Sequence, residues 1–240
     1  APPDRPFLWQ VEGGTLTKPS YLFGTIHLST PRIERLHPAV ARALEASDEL
    51  VTEIPLDART QLAGTALLMR GDGGTLSDAI GPELTQQLGK RLKAINPALD
   101  AVVFEPMKTW AAAAGVVMLP HQLKGGEALD QILWKKSTDD GRKVSGLETM
   151  KEQVGAFEVL DEAEQVAYLR ETLASWDKNE KLTKELVAAY ETGDDRVIGE
   201  LLVKSIRDFG DSEENRKLGE KLLKSVLADR DIRMAERIDA

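Results

Sequence analysis

The sequence predicts a helix-rich α/β fold: a small mixed β-sheet covered by α-helices, with a largely helical second half. Three observations predict it. Short apolar runs bounded by turn-forming residues cluster before Pro55. Only one comparable run, residues 143–147, follows later. Beyond residue 160, apolar side chains recur at three- and four-residue spacing, the signature of amphipathic helices.

The elements follow in order. A strand over 7–11 and a second over 21–28 flank a turn containing Gly13, Gly14 and Pro19, so a hairpin is expected. Pro38 suits the first position of a helix reaching residue 47. A third strand spans 49–54, and Pro55 ends it. Helices are expected over 61–69, from Pro82 with Leu84, Leu88, Leu92 and Ile95 as its apolar stripe, from Pro106 to 119, and over 125–136. Asp140 and Gly141 turn the chain into the strand at 143–147. Long helices then carry Val166, Leu169, Leu173 and Trp176; Leu182, Leu186 and Tyr190; Ile198, Leu201, Leu202 and Ile206; and Leu218, Leu222 and Val226. A last helix is expected over 228–238. The chain is expected to form one domain, 1–240, in three segments (1–60, 61–142 and 143–240).

Composition narrows the function. A 42% hydrophobic and 30% charged content is that of an ordinary globular protein. The net charge of −9 repels phosphates, which argues against nucleic acid and anionic membranes as partners. The longest apolar run, 111–119, falls far short of the roughly 20 residues a membrane span needs. Without cysteine there are no disulfides, thiolate ligands or cysteine nucleophiles. The start Ala1-Pro-Pro-Asp4 looks like a mature N-terminus, so a periplasmic or secreted location with a removed signal peptide is expected.

Three places carry candidate chemistry. His27 ends an apolar strand after Gly24, and strand ends are where open sheets bring ligands and catalytic groups together. Imidazole binds metals and exchanges protons near neutral pH; the competing assignment is a core histidine. Glu53 interrupts a strand built for burial, where a carboxylate must be paired or bound to metal unless its strand is an edge facing water. Glu148 follows the strand at 143–147, either as an accessible strand-end carboxylate or as part of a helix cap with Thr149. His37 and His121 are expected at the surface. The four tryptophans are expected in the core. No phosphate-binding glycine loop, zinc-binding helix signature or serine elbow is present.

Leu8-Trp9, Ser20 through Leu28, Leu50 through Glu53, Gly126-x-x-x-Asp130, Gly146 through Thr149 with Gln153, and Arg230 through Met234 occur in the order seen in the TraB/GumN family, which the chain resembles over almost its whole length. That family is similar to the Tiki-type metalloproteases and, more distantly, to haem-binding and erythromycin-esterase-like folds. The resemblance implies a metal-dependent, peptidase-like hydrolase acting on a peptide or small-molecule substrate. It implies His27, Glu53 and Glu148 as ligands of a divalent ion (Mn, Co, Zn or Fe). Glu53 or Glu148 would also act as general base, and Arg230 would steady developing negative charge. Family members carry a second Gly-x-x-His segment after the Arg230 region, so this chain is expected to be C-terminally incomplete and to be inactive or a weak metal binder. The alternative function is a non-catalytic accessory or binding protein linked to exopolysaccharide production; a haem or small-ligand carrier is a third.

Overall fold

The computed structural model describes residues 1–14, 16–207, 209–210 and 212–239; the side chains of Ile206, Arg207 and Asp239 lie outside the described set, and with them the Ile206 position of the expected apolar stripe. The fold is helix-rich α/β, as the sequence predicts. Strands β1 (Leu8–Val11) and β2 (Ser20–Phe23) form an antiparallel hairpin, with Trp9 opposite Leu22. After α1 (Pro38–Ala46) comes β3 (Glu49–Thr52), then α2 (Ala58–Leu68), α3 (Leu76–Ile95), a 3₁₀ turn at Ala101–Phe104, α4 (Thr109–Leu123) and α5 (Leu129–Asp139). Strand β4 (Lys143–Gly146) returns to pair in parallel with β3, Thr52 opposite Gly146. Six helices follow among the described residues: α6 (Met150–Gly155), α7 (Glu162–Ala174), α8 (Trp176–Thr192), α9 (Asp195–Arg207), α10 (Glu213–Leu223) and, after a π-turn at Lys224–Ala228, α11 (Asp229–Asp239).

The strands form two pairs rather than one mixed sheet. An aliphatic layer separates them: Val40 and Leu44 of α1 and Leu133 of α5 pack against Leu8 and Phe23 of the hairpin and Leu50 of β3. Strand β2 also ends earlier than its apolar run suggests. Its last ladder bond runs from the Gly24 N–H to the Phe7 carbonyl, and the Gly24 carbonyl accepts from the Tyr190 hydroxyl instead of the hairpin.

The largest core is wholly helical. Leu76, Ile80, Leu84, Leu88 and Leu92 of α3 meet Ala112, Ala113 and Val116 of α4 and Leu169 and Leu173 of α7. Helix α3 begins earlier than Pro82: Thr75 accepts from the Asp78 N–H while the Asp78 carboxylate reaches back to the Thr75 N–H, a capping box. Pro82 instead follows a kink at Gly81, whose φ of 77° suits glycine. Pro106 likewise precedes α4 rather than opening it; Met69 and Met107 bridge there. Of the tryptophans, Trp110 is core, stacked on Phe157, whereas Trp9 is 48% exposed on the hairpin. His37 is the cap of α1, its Nδ1 accepting from the Ala39 N–H. Among the described residues no helix is long and apolar enough to cross a membrane.

Candidate functional site

The parallel pair brings two distant carboxylates to one place. The ladder runs on past both strands: Leu147 N–H donates to the Thr52 carbonyl at 2.9 Å and Glu148 N–H to the Glu53 carbonyl at 2.7 Å. That continuation requires Gly146, because a Cβ there would lie 2.5 Å from the Pro55 nitrogen and 2.7 Å from the Ile54 carbonyl carbon. Glu53 and Glu148 therefore leave the strand tips side by side.

Helix α11 crosses those tips with three arginines on one face, spaced three and four apart. Arg230, buried, donates from Nε to Glu148 Oε2 and from Nη2 to Glu53 Oε2, both at 2.8 Å, and from Nη1 to the Val226 carbonyl. Arg233 donates twice to Glu148 Oε1, at 2.9 and 2.5 Å. Arg237 donates to the Leu147 carbonyl and to both oxygens of Glu152. Glu152 is also bound by the N–H and hydroxyl of Thr149, the N-cap of α6. Arg237 first, then these Thr149 donors, hold the Glu152 carboxyl down to about 2.

The helix-cap reading of Glu148 is thus replaced. Thr149 and Glu152 make the cap, while the Glu148 side chain has no exposed surface and spends both oxygens on two guanidiniums. A buried carboxylate is tolerated only with such pairing. Glu53 combines its two alternatives: it lies one residue past β3 with its side chain 42% exposed, yet Oε2 is held by Arg230 and, at 3.2 Å, by the Gln153 amide.

His27 is not a core histidine. It sits in the loop beyond β2 with its side chain 58% exposed and its Nδ1 3.6 Å from Asp130 Oδ2, a charge contact rather than a formed hydrogen bond. Asp130 raises its pKa above the ordinary imidazole value against the opposing pull of burial, and Glu53 and Arg230 lie near enough for their charges to act on it. Burial pushes the Asp130 carboxyl upward, but the imidazole outweighs it and the net direction is down. Asp130 is a site residue that the sequence reading left without a role. Its spacing from Gly126 was the available signal. Gly126, at φ 106°, lets the preceding loop approach Ser29 and Glu34, themselves joined by a short hydrogen bond.

The donor set decides against a full metal site as arranged. Among the described residues no three His, Asp or Glu side chains are placed to share an ion. No hydrogen bond engages Nε2 of His27 or Oε1 of Glu53 among the described residues, but Glu148 is saturated by Arg230 and Arg233. Two donors fall short of the roughly three protein ligands that a catalytic ion takes. His27, Glu53 and Glu148 are brought to one neighbourhood, with Arg230 as the bridge, yet Glu148 is spent as an ion-pair partner and does not fit the ligand role.

A family model described as the TraB/PrgY/gumN family matches residues 7–240. Comparisons with curated proteins and with solved structures give no match. The chain belongs to the TraB/PrgY/gumN family.

Proposed function

We propose that the cluster is a hydrolytic site for peptides or small carbonyl substrates, with His27 as the proton acceptor. One observation carries this reading. Asp130 faces Nδ1 of an accessible imidazole and leaves Nε2 without a partner among the described residues, beside the ionic cluster at the strand tips. A carboxylate at one ring nitrogen orients the other toward solvent as a base. In the reaction, Nε2 removes a proton from water, the resulting hydroxide bonds to the carbonyl carbon, and the imidazolium returns the proton to the leaving nitrogen or oxygen as that bond breaks. Arg230 contributes positive field at the tetrahedral intermediate. Its hydrogen bonds to Glu53 and Glu148 keep it in place.

The test is turnover of a mixed peptide library, with new chain termini counted by mass spectrometry. Cleavage is expected to fall at least about a hundredfold in His27→Ala, and less in Asp130→Asn, in line with the usual weight of a general base. The base form is neutral, so the rate should rise with pH through a midpoint above the ordinary imidazole value, and Asp130→Asn should move that midpoint down. Absence of any product from the unmodified chain between about pH 5 and about pH 9, with or without Mn or Zn, would remove this reading.

The divalent ion implied by the family resemblance receives its own measurement. Calorimetric titration with Mn or Zn should give only binding too weak to fit, since among the described residues of the cluster His27 and Glu53 remain as donors. A micromolar isotherm that disappears in His27→Ala would overturn that expectation. A second reading, a non-catalytic accessory or binding protein, is favoured by the complete use of Glu148 in ion pairs. Failure of hydrolysis together with failure of metal binding would select it.

A further inference from the structure

Helix α11 is attached to the body in an unusual way. Its one buried side chain among the described residues is Arg230; Ile232 is 61% and Ile238 59% exposed, and Ala235 also faces solvent. Helices in globular proteins normally dock through an apolar stripe. Here, beside the half-buried Met234, the docking face is chiefly a row of guanidiniums: Arg230 and Arg233 on Glu148, Arg230 on Glu53, Arg237 on Glu152 and the Leu147 carbonyl. The helix is joined to α10 through the π-turn at Lys224–Ala228, an element in which the backbone hydrogen-bond ladder changes register.

We infer that α11 is an electrostatic latch: it supplies from within the chain the cations that neutralise Glu53 and Glu148, and its docking excludes any other cation from those carboxylates. The two states differ at named atoms. Docked, both Glu148 oxygens and Oε2 of Glu53 accept from Arg230 and Arg233. Undocked, the same oxygens turn to water or to an exogenous cation, and the arginines leave with the helix. Linkage makes the competition reciprocal, so a cation that binds the freed carboxylates must lower the occupancy of the docked helix by the same factor. The inference is independent of hydrolysis and would stand if no substrate were ever cleaved.

Amide hydrogen exchange on the full chain tests it. Exchange across 229–239 should accelerate at least tenfold more than exchange of the α3 core amides in Glu148→Gln, and severalfold more in Glu152→Gln. Should Glu148→Gln unfold the whole chain, seen as exchange in α3 as fast as across 229–239, the paired half-buried substitutions Arg233→Gln and Glu152→Gln serve instead and carry the same tenfold expectation. A second readout uses Mn alone: Arg230→Gln with Arg233→Gln should bind it at least tenfold more tightly than the unmodified chain. Exchange across 229–239 that stays at the unmodified rate in these variants, or equal Mn affinity with and without the two arginines, overturns the latch.

Discussion

Glu148→Gln is expected to destabilise the protein by about 3–5 kcal/mol, the range found when one partner of a buried ion pair is removed. The magnitude comes from what the substitution leaves behind. Glu148 has no exposed side-chain surface and accepts from Arg230 and Arg233. A neutral amide keeps the volume and one acceptor oxygen but strands a positive charge in a poorly hydrated place. For a chain of this size that corresponds to a fall in melting temperature of roughly 10 °C, measurable by thermal unfolding followed by circular dichroism. Removing the whole arrangement should be gentler than removing half of it. Glu148→Leu combined with Arg230→Leu is therefore expected to recover a substantial part of the loss. A shift below about 1 kcal/mol for Glu148→Gln would mean that the site is wetter than its burial indicates.

Gly146→Ala is the second substitution with a large expected effect, about 3 kcal/mol, at the upper end for overpacking. Most small-to-large changes are absorbed by side chains that move. Here the added methyl meets backbone: the Pro55 nitrogen at 2.5 Å and the Ile54 carbonyl carbon at 2.7 Å. Relief requires the segment after β3 to separate from the segment after β4, which breaks the Glu148 N–H to Glu53 carbonyl bond. The effect should therefore appear twice: in urea unfolding, and as faster exchange of the Leu147 and Glu148 amides. An alanine tolerated without either signature would show that the strand tips are free to spread.

The helical half was legible because amphipathic spacing is a local property. The stripe Leu84, Leu88, Leu92 became the centre of the largest core, as its period implies. Caps were harder to place: Thr149 was named as a cap together with Glu148, whereas at α3 Pro82 drew the helix start away from the Thr75 signal. The site was legible in part. Glu53 and Glu148 stood out as charges in apolar runs, and His27 as an imidazole after one. What the sequence did not reveal was their partner chemistry, since pairing with arginine and ligation of a metal place the same demand on a buried carboxylate. The decision came from Arg233, one turn beyond Arg230, whose importance no periodicity marks. Asp130 carried only its spacing from Gly126, and it stays an ordinary acid in the first turn of a helix until the loop bearing His27 is folded against it.

Arg230 and Glu53 stand 177 positions apart, and Arg230 and Glu148 stand 82 apart. Closing loops of such length costs chain entropy before any bond rewards it. During synthesis Glu53 and Glu148 emerge well ahead of the arginines that neutralise them, so the strand tips stay hydrated and open while the α3–α4–α7 core is already assembling. Assembly of this corner is therefore expected to close folding on the nascent chain, where α3 should gain protection before Glu148 does.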